Sequence, residues 1–506
     1  MKYIHAKVTV LALLIAFSGL TGCKKFLDVN NNPNQSTDDN VTPELLAVGA
    51  SVSMGSRAAS GNYNPVSFWI GYLAQAGDYA ITADVATYNI DFTFGNGLWS
   101  NNYNTLFDLE LAKRKALAKG DSVLAGTMMV FSAKLYQELA DTYGDIPYSQ
   151  AFDYQSTRTP AYDKATDIYS ALQKKLDTAI TYLKRTPRSN FNDNVGKVVK
   201  ISLGQWVKFA NTLKLRLLLR QSEVSGFSPA TEIAKITANG GVLGTGENVN
   251  VNPGYVNDDN KQNPFYANFG YLTTGADGDN FNRANEYMIS VMTGHEDPRL
   301  KRVYQPQANG SVVGCVFGLA QGNPLGNASS KFGPGLLGDT KDAGAKQDQF
   351  IYPAFESMFL YAEAAARGWF PADAKTAYQN AVKESFSWLG LTSAQATTYM
   401  TDNKDANWDS LAAKSPTPTA KAKFVTYQKY IALTGVDPLE AWADMRRLNM
   451  VDDKSYRSVY PGALNGSACG VPIRFLYPQT EYTTNKDNVS KEGTINQFTS
   501  KLFWQP

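Results

Sequence analysis

The chain has 506 residues, of which 43 % are hydrophobic and 19 % are charged. This balance supports a large packed core and argues against extensive disorder. The formal net charge is +2, and no basic block stands out, so nucleic-acid binding is disfavoured because it normally needs a cationic surface. The aromatic content of 12 % fits either a large core or a binding surface.

The first 22 residues resemble a bacterial export signal. Lys2 and Lys7 precede an apolar run, Val8–Phe17, which is too short to span a bilayer and has the length of a signal-peptide core. Small residues then lead into Cys23, as in a lipobox. We therefore predict a lipoprotein signal peptide over residues 1–22 and lipidation of Cys23, through which the chain is anchored to a membrane. An ordinary secretory signal with an incidental cysteine is the alternative.

The remaining chain divides into a tether and a body. Residues 23–40 are rich in Asn and Asp and are predicted to link the lipid to the fold, and residues 41–506 are predicted to form one domain. No segment after the signal reaches the ~18 apolar residues of a membrane helix. Cys315 and Cys469 remain, and export permits a disulfide, but two free thiols are equally compatible with the sequence.

Helical periodicity dominates two regions, about 124–222 and about 355–449. The helices are predicted over Leu124–Tyr143, Tyr162–Arg185, Leu203–Ser222, Phe355–Arg367, Pro371 to about Leu389, Lys421–Leu433 and Pro438–Leu448. Paired helices with alanine at contact positions resemble tetratricopeptide-type (TPR-like) hairpins, which bury their apolar faces by stacking. The predicted fold class is mainly α with few short strands, for which Val195–Ile201 and Val312–Phe317 are the best candidates.

Two segments, about 62–104 and about 240–344, differ from the helical regions in composition and are rich in loop-forming residues. Both are dense in Asn, Asp and Gly, with tyrosines scattered among them. They are too long to be simple connectors, and long ordered loops often carry function. We therefore look for a binding site there.

Several motifs, read in order, resemble those of SusD/RagB-type outer-membrane lipoproteins. The resemblance runs from Cys23 to about Val489. It rests on Cys23–Asn30 with Asn32–Asn34, Ala140–Tyr148, Tyr162 to Ala179, Trp206 to Arg216, Asp297–Leu300, Glu356 to Gly368, Gln428 to Arg447, and Pro472 to Asn485.

That resemblance implies a SusD-like single fold with TPR-like hairpins, which agrees with the periodicity. It also implies an outer-membrane, surface-exposed lipoprotein without a cofactor. Its expected partner is a SusC-like TonB-dependent transporter, over which it acts as a hinged lid. Its expected cargo is an oligosaccharide or, in some branches, a peptide.

Catalytic and metal chemistry find little support in the sequence. His295 is the only histidine after the signal peptide, which removes His-rich zinc sites. The run His295–Arg299 contains acids, but Pro298 favours a structural turn in which Arg299 pairs with a carboxylate. The segment Asp277–Asn280 is weakly similar to a calcium loop, yet Phe281 stands where a ligand is needed. We predict neither an enzyme nor a metal site.

The ligand site is predicted where residues 62–104 meet the part of the second segment from Tyr255 to Arg283. A sugar ring has an apolar face and a polar rim, so aromatic side chains beside Asn and Asp suit it. The candidate ligand-binding residues are Tyr63, Trp69, Tyr72, Tyr79, Trp99, Tyr266, Phe269 and Tyr271. For each ring, core packing is the alternative, in particular for Trp69 and Trp99.

Two other functional classes stay open at this point. A TPR-type scaffold would bind only proteins, including its transporter, and would have no soluble ligand. A surface glycosidase would need two carboxylates set across a sugar, and 46 acidic residues offer many pairs.

Overall fold

The structure is a computed structural model that describes residues 41–57, 59–60, 64–153, 155–188, 191, 193–410, 417–450, 455–464, 466 and 470–506. The signal peptide, the tether with Cys23, Tyr63 and Cys469 lie outside these residues. Within these ranges no helix combines the length and apolar character needed to cross a membrane.

Helices hold 52 % of the described residues and strands 5 %, which confirms the mainly α prediction. The described helices of the first half are α1 (Pro43–Ser56), α2 (Asn64–Trp69), α3 (Ala83–Thr87), α4 (Asn96–Ala118), α5 (Ser122–Tyr143), α6 (Ala165–Leu183), α7 (Val195–Val198), α8 (Leu203–Arg220) and α9 (Ala230–Ala238). Those of the second half are α10 (Pro264–Phe269), α11 (Glu286–Gly294), α12 (Leu300–Val303), α13 (Pro334–Leu337), α14 (Lys341–Lys346), α15 (Ala354–Ala366), α16 (Ala374–Trp388), α17 (Ser393–Asp402), α18 (Pro418–Ala432), α19 (Pro438–Leu448), α20 (Gln479–Thr484) and α21 (Lys486–Val489).

The long helices form where the periodicity predicted them, and their ends have local causes. In α6 the apolar residues that recur at steps of three and four form the buried face. The helix begins three residues after its predicted start because Tyr162–Asp163 forms a strand. Helix α8 begins at a capping box in which Ser202 and Gln205 satisfy each other's backbone N–H groups. Helix α5 ends at Tyr143, as predicted, and Gly144 follows with a φ of 85° that suits glycine.

Consecutive helices pack against each other in pairs. Helix α5 lies between α4 and α6, and α8 packs on α6 in the first half. In the second half α15 packs on both α16 and α18. Residues Pro43–Pro506 cluster as one unit.

In the described part of the chain, six short strands pair two by two and antiparallel: β1 (Leu73–Gln75) with β5 (Asn282–Ala284), β2 (Ile146–Pro147) with β3 (Tyr162–Asp163), and β4 (Val249–Val251) with β6 (Gln349–Tyr352). The strand predicted over Val195–Ile201 is wrong, because this run contains helix α7. Helix α7 packs against α1, which has no strand edge for it to pair with. The strand predicted over Val312–Phe317 is also wrong; only Cys315 makes an isolated bridge, to Asn285.

The loop-rich segments contain more helix than predicted. Residues 62–104 include α2, α3 and the beginning of α4, and residues 240–344 include five short helices. The asparagines at the start of α4 have poor helix propensity, which explains the error. Tertiary packing overrides that propensity, since Leu98, Trp99 and Leu106 of α4 are buried.

Charged side chains are buried among the helices. Arg220 of α8 donates to Asp141 of α5 at 3.0 Å and also pairs with Glu440 of α19. Lys429 of α18 contacts Glu440 at 2.5 Å and Asp444 at 2.9 Å. All of these residues except Arg220 come from the motifs that carry the family resemblance, so the motifs contribute to a structural ion network that joins the two helical halves.

Candidate functional site

The two loop-rich segments meet through a short antiparallel pairing. Leu73 lies opposite Ala284, and Gln75 lies opposite Asn282. The Ala76 N–H extends the ladder by donating to the Phe281 carbonyl at 3.0 Å. The predicted meeting of these segments is therefore present in the fold.

A third segment, residues 323–326, packs against this strand pairing. The Gly77 N–H donates to the Pro324 carbonyl at 2.8 Å, and the Gly326 N–H donates to an Asp78 carboxylate oxygen at 3.0 Å. A Cβ added at Gly77 would lie 2.0 Å from the Asn323 carbonyl oxygen. Only glycine therefore permits this close approach.

Tyr79 stands at the junction with its side chain 43 % exposed. Its ring meets the half-buried ring of Phe281 edge-to-face, with centroids 5.3 Å apart. Asp78 and Asn280 are exposed beside these two rings in the sequence, and Leu325 of the third segment is 51 % exposed. We call these five residues, Asp78, Tyr79, Asn280, Phe281 and Leu325, the Tyr79 surface.

Hydrogen bonds fix the backbone beneath this surface. Arg283 is 1 % exposed and donates to the carbonyls of Gly326, at 2.8 Å, and Asp279, at 2.9 Å. It also donates to the Asn280 side-chain oxygen at 2.9 Å. The Asp279 carboxylate in turn accepts from the Phe281 N–H at 2.8 Å. A ligand would thus meet rings and amides that are already oriented, which lowers the entropic cost of binding.

Five of the other predicted ligand residues belong to the core. Trp69 and Tyr72 are 0 % exposed, and the remaining three are nearly as buried: Trp99, Tyr266 and Phe269. Their rings pack on other aromatic rings, and the Trp69 indole N–H donates to the Val85 carbonyl at 3.0 Å. A buried ring has no face to offer a ligand, so core packing, the stated alternative, describes them in this structure.

Tyr271 is half-buried, but its ring is occupied. The ammonium groups of Lys331 and Lys341 lie 3.5 and 4.1 Å from its centroid. Lys331 is held there by Asp277 at 2.6 Å, and Lys341 by the Gly275 carbonyl at 2.7 Å. Such cation–π contacts compete with a stacked sugar. Of the predicted rings that the structure describes, Tyr79 has the most exposed face.

The segment around His295 is a structural turn, as its proline suggested. The Arg299 guanidinium donates to Asp297 at 2.6 and 3.0 Å, and both residues are buried. Among the described residues no group of three or more His, Cys, Asp or Glu side chains could hold a metal ion. Cys315 is buried and free.

Sequence reasoning did not single out Asp78 or Leu325 as binding residues, and it noted Phe281 only as a misfit in a calcium loop. The sequence did offer a hint for Phe281 as a binding residue, because it lies at the end of the aromatic-rich segment that begins at Tyr255. Leu325 carried none, because a single apolar residue in a Gly- and Asn-rich loop is not distinctive. Its place depends on the contact between residues 323–326 and Gly77.

Comparisons with known proteins agree with this architecture. A family described as SusD-like, "starch-binding associating with outer membrane", matches residues 33–478. Among solved structures, a chitin-binding SusD homolog from Flavobacterium johnsoniae superposes with a TM-score of 0.72 at 22 % identity, covering 90 % of this chain and 98 % of that one. A SusD-like protein from Bacteroides thetaiotaomicron gives 0.70 at 24 %, covering 91 % and 98 %. No curated protein matches the chain significantly by sequence.

Proposed function

Since this chain belongs to the SusD-like family, whose members are binding proteins rather than enzymes, we propose that it captures a neutral oligosaccharide at the Tyr79 surface. The observation that carries the proposal is the exposed Tyr79 ring in edge-to-face contact with Phe281, where the sequence neighbours Asp78 and Asn280 are also exposed. The ring offers an apolar platform for one face of a sugar. Asp78 and Asn280 offer partners for hydroxyl groups at its rim.

Removing the Tyr79 ring is expected to weaken binding. The Tyr79→Ala variant loses the platform and should raise the Kd for a bound hexasaccharide at least tenfold, or about 1.4 kcal/mol. Tyr79→Phe keeps the ring and should bind nearly as well as the parent. Isothermal titration with maltohexaose and with chitohexaose measures both, since the family description names starch and one structural relative binds chitin.

The matched control is Tyr182→Ala, which removes a half-buried tyrosine from α6, outside the Tyr79 surface. Its affinity should equal that of the parent. Equal affinity of Tyr79→Ala and the parent would contradict the proposed site. Binding of short peptides in place of both glycans would keep the capture role and change the cargo, and silence toward all three would favour a scaffold that binds proteins only.

We also propose that the protein is held at the outer membrane by a lipid on Cys23 and delivers its ligand to a SusC-like TonB-dependent transporter. The family's association with the outer membrane and the lipobox-like residues before Cys23 support this. In the native host, Cys23→Ser should move the protein from the membrane fraction to the soluble fraction. Serine lacks the thiol that receives the lipid, so the variant carries no acyl chain. Retention of this variant in the membrane fraction would contradict lipid anchoring.

A further inference from the structure

A second polar cleft opens between α1 and the first half of α4, with a volume of about 390 Å³. It shares no residue with the Tyr79 surface. Nearly all of its lining side chains are polar, and Val52 and Leu98 provide two apolar spots. The polar lining comprises Ser53, Ser56, Arg57, Ser60, Asn101, Asn102, Asn104, Thr105 and Asp108. Its volume lies within the roughly 300–1,000 Å³ typical of small-molecule sites.

A buried donor without a partner lies in the wall of this cleft. Asn102 is 1 % exposed, and its side-chain oxygen accepts from Arg57. Its amide nitrogen has no hydrogen-bond partner in the structure. Leaving a buried donor unpaired is unfavourable, and an acceptor on a ligand would recover this loss.

The rim adds polar groups that the fold does not use. Within the described ranges, the side chains of Ser53, Asn101 and Asn104 form no hydrogen bond, and all three lie on the cleft. The half-buried Asp108 carboxylate has neither a hydrogen bond nor an ion pair there, and burial raises its pKa. Asn and Asp side chains together offer the donors and acceptors that hydroxyl groups need.

The charge of the cleft favours a neutral ligand. Arg57 is the only cation among its lining residues, and Glu138 pairs with it at 2.5 Å. The remaining charge is the Asp108 carboxylate, which repels phosphates and carboxylates. A neutral polyhydroxylated molecule fits these groups better than an anion.

We propose that this cleft is a second carbohydrate-binding site, which takes one sugar unit edge-on through its hydroxyl groups. The inference rests on the proposed function, because it assumes a carbohydrate ligand. The two sites differ in chemistry: the Tyr79 surface offers a ring platform, whereas the cleft offers mainly hydrogen bonds and no aromatic side chain.

The test uses short glycans, maltotriose and chitotriose, titrated into the chain beginning after Cys23. The variants are Tyr79→Ala, the double variant Asn104→Ala with Asp108→Ala, and the combination of all three substitutions. Asn104 is exposed and Asp108 is unpaired among the described residues, so the double variant should melt within a few degrees of the parent. Asp167→Ala, which removes an exposed carboxylate from α6, is the matched control.

We expect Tyr79→Ala to retain weak binding of at least one glycan, and the combined variant to lose that remainder by tenfold or more. If Tyr79→Ala abolishes all binding, or if it weakens binding and the combined variant binds no more weakly, the second site is refuted and the Tyr79 surface stands. If neither Tyr79→Ala nor the combined variant binds more weakly than the parent, both sites are refuted. If the double variant alone abolishes binding and Tyr79→Ala has no effect, the cleft is supported and the Tyr79 surface is refuted. If the parent binds neither glycan, both assignments fail for these sugars.

Discussion

Replacement of Arg447 by methionine is expected to lower the free energy of unfolding by about 3–5 kcal/mol, the usual effect of removing one partner from a buried ion pair. Arg447 is 1 % exposed and binds both oxygens of Glu363, at 2.7 and 2.8 Å, and one oxygen of Asp444, at 2.8 Å. The guanidinium thus ties α19 to α15. Methionine fills much of the same space but leaves two buried carboxylates without this cation.

Urea unfolding measures the effect as a lower midpoint at an unchanged slope. The matched control is Lys375→Met, because Lys375 pairs with Asp409 at 2.7 Å on the surface, where both side chains are exposed. Exposed pairs contribute about 0–1 kcal/mol, so this midpoint should move little. Equal shifts for the two variants would mean that the buried network does not hold the helices together.

Replacement of Trp69 by alanine is expected to cost about 3–5 kcal/mol of stability, as for other fully buried aromatic residues. The Trp69 ring stacks on Phe94 at 5.4 Å and packs against Trp442 at 6.1 Å and Phe475 at 5.7 Å. These rings come from distant parts of the chain, so the cavity would lie where α2, α19 and the C-terminal segment meet.

Tyr79→Ala separates the core role from the binding role. Tyr79 is largely outside the core, so its loss should change the free energy of unfolding by roughly 0.5 kcal/mol or less while reducing ligand affinity. Trp69→Phe, which retains a ring and the fold, should lose stability and keep affinity. If Trp69→Phe instead weakened glycan binding as strongly as Tyr79→Ala, Trp69 would belong to the ligand site.

The helical scaffold could be predicted because its signals are local. In α6 the apolar residues recur at steps of three and four, and each predicted position of the stripe is buried. In α19 the predicted bounds, Pro438–Leu448, are those of the structure, since Asp437 caps the first turn and proline suits its first position.

The proposed ligand surface could be located from the sequence only in outline, because exposure is set by tertiary contacts. Trp69 and Tyr79 stand in the same aromatic segment, yet one ring is buried by Phe94 and Trp442 and the other is not. Nothing in the local sequence distinguishes them. Tyr271 shows the same limit, since the lysines over its ring come from residues 331 and 341.

The frame of the Tyr79 surface is built mainly from main-chain atoms. The pairing of β1 with β5 and the bond from Gly77 to Pro324 use backbone N–H and C=O groups, of which proline lacks only the N–H. Evolution can therefore exchange the side chains that stand on this frame without rebuilding it, provided that Gly77 and Arg283 remain. A change of bound ligand would then require only a few surface substitutions. Relatives with little sequence in common could keep one architecture while binding different ligands.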